Sequence, residues 1–182
     1  MKKFLIILII FFNSNKFSAQ QYFTEKGITE FDGSKAAFEP IKAKNNSCIS
    51  IFDFQSGSIA AVIKINEFKF RLGLMQEHFN ENYLESNKYP KSTFEGIIEN
   101  YESLVLSKLF QKIIIRGNLT IKGVKNNILA IGYIRKNNDK IELKSSFSIK
   151  LSDYDVKIPK IVWKKIDEEV KIKLDYNYAK KN

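Results

Sequence analysis

Hydrophobic and polar positions alternate along most of this chain with a period of two. The clearest case is KIELKSSFSIKL, in which Ile141, Leu143, Phe147, Ile149 and Leu151 point one way and Glu142, Lys144, Ser146, Ser148 and Lys150 the other. Successive side chains leave opposite faces of a strand, so this is a strand with one dry face and one wet face. A slip of one residue would exchange the two faces, which gives the strand a defined register. EVKIKLDYNY repeats the division, with Val170, Ile172, Leu174, Tyr176 and Tyr178 opposed by Lys171, Lys173 and Asp175. Further strands are expected over 22–31, 35–44, 47–55, 58–71, 92–101, 111–121 and 127–136, separated by turn signals such as DGS, KNN, QSGS and RKNNDK. Turns at such short intervals indicate an antiparallel meander, either a barrel or a sandwich. A change of phase within 58–71, from Ile59, Ala61, Ile63 and Ile65 to Phe68 and Phe70, favours the barrel. It implies a bulge near Asn66 and Glu67, and bulges bend strands around barrel corners.

One stretch departs from this pattern. In MQEHFNENYLESNKYP, residues 75 to 90, Met75, Phe79 and either Tyr83 or Asn82 fall about one helical turn apart, and Glu77, Glu81 and Glu85 lie on another face. Pro90 is expected to stop the element, because it has no backbone donor. A short helix set into a β-meander suits the cap of a small barrel. Residues 75 to 89 are therefore expected to form a lid and corner, with Met75 and Phe79 turned toward the apolar interior and the three glutamates in water. No internal repeat, low-complexity stretch or flexible linker divides the rest, so one domain over 21–182 is expected.

The first residues have a different character. Lys2 and Lys3 precede an apolar run from Phe4 to Phe12, and a polar stretch leads to Ser18 and Ala19. This is the layout of a secretory signal peptide, and the run is too short to span a bilayer. Residues 1–20 are read as that signal, with cleavage near Gln20 or Gln21 and a periplasmic or secreted product. Their loss removes three lysines and no acid, lowering the net charge from +10 while leaving it positive.

Composition then excludes some chemistry. Cys48 is the single cysteine, so no internal disulfide can form even on an export route. One cysteine and one histidine cannot assemble a zinc site of the Cys/His kind within the chain. No metal and no cofactor are expected.

The run MQEHFNENYLESNKYPKSTFEG, with GNLTIKGV at 117–124 and SDYDVKIP at 152–159, closely resembles the YceI-like domain family. The resemblance extends from TEKGITEFDG to VKIKLDYNY. It implies an all-β fold, an exported eight-stranded antiparallel lipocalin-like barrel with a short helical segment. It further implies a cavity that holds a long apolar chain, such as a polyisoprenoid or a comparable amphiphile. Where the family commonly has histidine after GxLTI, this chain has Lys122, followed by Gly123, Val124 and Lys125. A mechanism that rests on an imidazole there does not carry over.

Other features have plainer readings. His78 beside Glu77 and Glu81 has the elements of a general base with carboxylate partners. The glutamates share one face of a helix, however, so these side chains are read as structural, holding the lid by hydrogen bonds to backbone. Cys48 has no neighbour that would lower its pKa and is read as a half-buried strand residue. Trp163 is read as a plug for a barrel end. The lysines are dispersed among acids at outward strand positions, which suits a solvated surface rather than nucleic acid. The same outward charges exclude an outer-membrane barrel, whose lipid face is apolar. The expectation is a binding protein and not an enzyme, with Met75, Phe79, Leu119, Ile121, Ile141, Leu143, Phe147, Ile149, Val170 and Ile172 lining its cavity. Its partner would be an isoprenoid or another long-chain amphiphile, with no nucleic acid and no membrane span, and homodimerisation is left open. Two alternatives stand beside it: a lipid-acting hydrolase or isomerase that uses His78, and a structural or adaptor barrel with a filled interior. An eight-stranded interior can be filled by side chains or hold one small ligand, and alternation does not decide between them.

Overall fold

The computed structural model describes residues 20–35, 38–160 and 163–181. Of the expected signal peptide only Gln20 falls within them. The strands in chain order are β1 (Gln21–Ser34), β2 (Lys42–Asp53), β3 (Ser58–Lys64), β4 (Lys69–Phe70), β5 (Lys91–Ile98), β6 (Gln111–Ile121), β7 (Val124–Asn137), β8 (Lys140–Lys150) and β9 (Ile166–Lys180). The helix α1 (Gly73–His78) runs on into a wider π-helical turn over Phe79–Tyr83.

Every paired neighbour is antiparallel, in the order β1-β9-β8-β7-β6-β5-β3-β2, and β1 also pairs with β2. The sheet therefore closes on itself as an eight-stranded antiparallel barrel, the architecture that the family resemblance implied and that the phase change favoured over a sandwich. The two residues of β4 add to β2 at Ala43 and Lys44, beside the end of β3. The alternation faces the expected way: Ile141, Leu143, Val170, Tyr176 and Tyr178 are buried, whereas Lys144, Lys150, Lys171 and Lys173 are exposed.

Several boundaries differ from the sequence reading, each for a local reason. The pattern divides 35–44 from 47–55 at KNN, but residues 42–53 form one strand. Asn45 is fully buried; its amide donates to the Lys64 carbonyl and its side-chain oxygen accepts from the Ser47 backbone N–H. These bonds hold a bulge, where β1 steps from Gly27↔Cys48 to Thr29↔Asn45, in place of a turn. DGS likewise stays inside β1. The expected bulge at Asn66 and Glu67 is a 3-10 turn over Ile65–Glu67 that ends β3 and starts β4, and this turn produces the change of phase. Strand β5 ends at Ile98 rather than 101, because Asn100 adopts a left-handed conformation and opens a turn. Pro90 does not end the helix. The helical segment closes when the Leu84 N–H bonds to the Phe79 carbonyl and Glu85 turns left-handed at φ 47°, and Pro90 leads into β5.

The two ends of the barrel are built differently. At the end where β1 starts and β9 finishes, Tyr22, Phe52, Ile59, Ile98, Ile113, Ile134, Ile141, Leu143 and Tyr178 pack into a closed core. Tyr101, Leu104 and Leu106, from the loop between β5 and β6, cover it from outside, and the Tyr101 hydroxyl donates to the Phe54 carbonyl. At the other end Leu84, Tyr154, Val156, Ile149, Val170 and Ile65 form a second cluster. This cluster lines one side of the opening rather than filling it.

Candidate functional site

Between these two clusters lies a cavity of about 470 Å³. Its wall carries Ala61, Ile63, Phe94, Ile115, Leu119, Ile128, Phe147 and Ile172. Acidic, basic and imidazole side chains occur in its lining as Glu39, His78 and Lys165, all from exposed positions at the open end. The rest of the lining contributes nothing more polar than hydroxyls, from Thr29, Ser92, Thr93, Ser145, Tyr83, Tyr154 and Tyr176.

The floor explains why the cavity stops where it does. Gly27 sits where a Cβ would come within 2.7 Å of the Tyr176 ring, so this glycine lets the ring lie flat across the barrel. The Cys48 thiol donates to the Tyr176 hydroxyl at 3.0 Å, which leaves the tyrosine proton for the Thr29 hydroxyl at 3.1 Å. One layer below, Ser50 donates to the Ala60 carbonyl and receives a bond from the Tyr178 hydroxyl at 2.9 Å. Each of these buried hydroxyls therefore has a partner, which a polar group shut away from water requires. On the facing wall Gly96 pairs with Gly117, and the tip of the Phe94 ring fills the space a side chain on either would need. That keeps Phe94 against the wall.

The roof is the helical segment. Phe79 projects from it into three phenylalanines of the barrel, stacked on Phe31 at 5.3 Å and tilted against Phe70 at 5.0 Å and Phe68 at 5.6 Å. Aromatic pairs at these separations add to the stabilisation from burial alone. The far end of the lid is held by charge. Lys122, its side chain mostly buried, bonds to Glu85 at 2.6 Å and donates to the Asp155 carbonyl at 3.2 Å. It thereby ties the end of the lid to the corner after β8, and holds the Glu85 carboxyl below the usual carboxylate range. Lys122 and Gly123 are the two left-handed residues of the tight turn joining β6 to β7. The residue that departs from the family's common histidine is thus the lid's anchor.

The expected cavity residues fall into two groups. Met75, Phe79, Leu119, Ile121, Phe147, Ile149, Val170 and Ile172 line the cavity. Ile141 and Leu143 do not; they share the inward face of β8 but lie nearer its start, inside the closed core, at 0% and 1% exposure. Alternation reports which face is inward and carries no information about height along the barrel. Of the lid glutamates, Glu77 and Glu81 are exposed and Glu85 is ion-paired. The side chains of Glu77, His78 and Glu81 make no hydrogen bond or ion pair among the described residues, so they do not hold the lid as expected. Phe79 and Lys122 do. Cys48 is fully rather than half buried, and Trp163 is 54% exposed beside the opening rather than a plug. Among the described residues no cluster of His, Cys, Asp or Glu is suited to a metal ion.

Tyr154 is the feature that sequence reasoning missed. It lines the cavity near its mouth at 2% exposure, yet its hydroxyl has no partner among the described residues. Nothing in SDYDVKIP distinguishes it from a tyrosine satisfied by backbone.

A profile of the YceI-like domain matches residues 12–178. The chain belongs to the YceI-like family. Solved structures agree on the fold of this YceI-like protein. A polyisoprenoid binding domain from Saccharophagus degradans, implicated in plant cell wall breakdown, superposes with a TM-score of 0.75 at 15% identity, over 90% of this chain and 99% of that one. Burkholderia cenocepacia BcnA gives 0.67 at 20% identity, over 84% and 96% of the two chains. The Campylobacter jejuni YCEI protein gives 0.61 at 20% identity, over 81% and 89%. A comparison with curated protein sequences found no match.

Two outcomes follow from this geometry. Phe79→Ala removes a half-buried ring shared by three others and is expected to cost about 2–3 kcal/mol in chemical denaturation, below the range for a fully buried phenylalanine. A cost under about 0.5 kcal/mol would show that the lid does not depend on this contact. The floor predicts a loss of stability in alkali. Burial pushes the Cys48 thiol up to about 11 from an ordinary value of 9.0, and raises Tyr176 and Tyr178 as well. Groups whose folded pKa is raised stabilise the fold in full below their unfolded pKa and lose that contribution as pH rises through the folded value. Unfolding free energy should therefore fall from about pH 9 upward, by about 1.4 kcal/mol per pH unit for each proton lost on unfolding. Cys48→Ala should flatten the part of the slope nearest pH 9, and an unchanged slope would refute the assignment.

Proposed function

We propose that this barrel binds an amphiphile with a long apolar tail, such as a polyisoprenoid, with the tail in the cavity and the polar head at the mouth. The carrying observation is the division of the lining: apolar side chains and a few hydroxyls inside, charge at the opening alone. The volume lies within the range of small-molecule sites. Each isoprene unit drawn inside contributes roughly 3–4 kcal/mol gross, at ~0.8 kcal/mol per carbon, so a few units offset the cost of association. The polyisoprenoid binding domain from Saccharophagus degradans supports the reading, since it has the same fold.

The Tyr154 ring lines the cavity, and its closed-off, unpartnered hydroxyl would meet the head of such a molecule once the side chain shifts toward the opening. A buried hydroxyl without a partner is costly, and a ligand oxygen supplies one. A lipid-acting hydrolase or isomerase built on His78 has less support, because no carboxylate or hydroxyl is bonded to the imidazole to activate it or be activated by it. The filled adaptor barrel agrees with one half of the interior and conflicts with the other.

The binding test is titration with a fluorescent prenyl alcohol. Wild type should saturate. Ala61→Phe, which places a ring in the cavity, should weaken uptake at least about tenfold, and Tyr154→Phe about three- to tenfold without loss of stability. His78→Ala should change nothing. No uptake by wild type, or uptake untouched by Ala61→Phe, removes the reading. We further propose that the protein is exported and acts in the periplasm or outside the cell, on the grounds of the apolar run Phe4–Phe12 and the small residues before Gln20. N-terminal sequencing of the protein from its own host should begin near Gln20 or Gln21, and an intact Met1 on the bulk of the protein would contradict export.

A further inference from the structure

Three segments meet at the mouth of the cavity: the loop after β1, the start of the lid, and the approach to β9. Contacts join them. The Lys35 ammonium donates to the Trp163 carbonyl at 3.0 Å and lies 5.4 Å from the centre of its indole ring, and the Lys35 N–H bonds to the Lys165 carbonyl. Arg71, at the start of the lid, pairs with Glu39 at 2.6 Å. Leu72, Leu74, Glu39 and Lys165 also line the cavity, so this rim is continuous with the opening.

The rim combines exposed apolar side chains with cations around one opening. Phe38, Leu72, Leu74 and Trp163 are 45%, 39%, 63% and 54% exposed. Beside them stand Lys35, Arg71, Lys160, Lys164 and Lys165, against Glu39, whose charge Arg71 already offsets. Glu77 on the helical segment and Asp167 and Glu168 at the start of β9 subtract from that excess, leaving five cations against four acids. Exposed leucine, phenylalanine and tryptophan beside lysine are the elements of an interfacial membrane contact. The apolar groups enter the boundary between headgroups and acyl chains, tryptophan favours that depth, and the cations meet anionic headgroups.

We propose that the mouth of the barrel docks on an anionic lipid bilayer, so that an apolar chain passes between bilayer and cavity without crossing water. This rests on the cavity reading above for its purpose, though not for its evidence. The charge selects an anionic surface over a neutral one. The position of the apolar groups around the opening makes the docked face the one through which the ligand travels. A chain leaving a membrane for a cavity that opened elsewhere would expose its whole length to water.

Trp163, the single tryptophan, makes the rim its own reporter. Phe4–Phe12 could hold the full chain on any vesicle, so emission from Trp163 is the readout rather than sedimentation alone. With vesicles of phosphatidylcholine mixed with phosphatidylglycerol, emission should shift to the blue and be quenched by lipids brominated in their acyl chains. Added salt should weaken the shift, and phosphatidylcholine alone should give little of it. Phe38→Asp combined with Lys164→Glu should weaken docking by on the order of tenfold or more, while uptake of a prenyl alcohol from detergent stays as in wild type. Unchanged Trp163 emission on both vesicle types overturns the proposal, as does docking that the double variant leaves intact. A shift that depends on protein concentration and needs no vesicles also overturns it, because the rim then joins two copies of the chain. Docking without any uptake of prenyl alcohol leaves the proposal standing and removes the ligand reading.

Discussion

The structure depends on β1 pairing on both its edges, with β2 on one side and β9 on the other. This closure leaves no long unpaired edge among the strands of the barrel, and it sets the circumference at eight strands. An interior of that width is close to the limit of what facing side chains can fill. Where large rings converge, as at Phe52, Tyr176 and Tyr178, it is solid. Where the inward residues are Ala61, Leu119, Ile128 and Ile172, the same cylinder stays open.

The floor and the lid are two answers to the problem of closing such a cylinder. The floor uses polar atoms. Hydroxyls from three strands and one thiol form short hydrogen-bonded chains across the barrel, and those bonds position the rings that shut it. The lid uses dispersion at its centre, in the group of four phenylalanines, and charge at its far end, where Lys122 meets Glu85. At its beginning the tie is the more exposed Arg71–Glu39 pair, and Leu72 and Leu74 remain exposed. The mouth opens on that side, where Phe38, Trp163 and several cations also stand.

These arrangements also account for the roles of the lone histidine and the lone cysteine. Cys48 is the only thiol and His78 the only imidazole, so either would attract a catalytic reading. The thiol is engaged as a donor to Tyr176 in a buried site that disfavours its ionised form. The imidazole stands at the mouth, with no bonded partner among the described residues. Beyond these two, the described lining of the interior consists of apolar side chains and a few hydroxyls.

Alternation by itself marked most of the strands and their inward and outward faces, though not where each begins and ends, and through the phase change near Asn66 the place where the chain turns a corner. The helical spacing of Met75 and Phe79 likewise marked the lid. These are properties of neighbours in sequence, which covalent geometry imposes on any chain with that pattern. Tertiary structure alone decided the rest. Leu143 and Phe147 stand four residues apart on one face of β8, yet the first is sealed in the closed core while the second lines the cavity. Asn45 looked like a turn residue until the Lys64 carbonyl and Ser47 came within reach and made it a buried bulge. Lys122 looked like a lost histidine until the fold brought Glu85 and Asp155 to it. Height along a barrel, the partner of a buried amide and the company of a lone charge all depend on residues distant in sequence, and the pattern of a single strand carries no record of them.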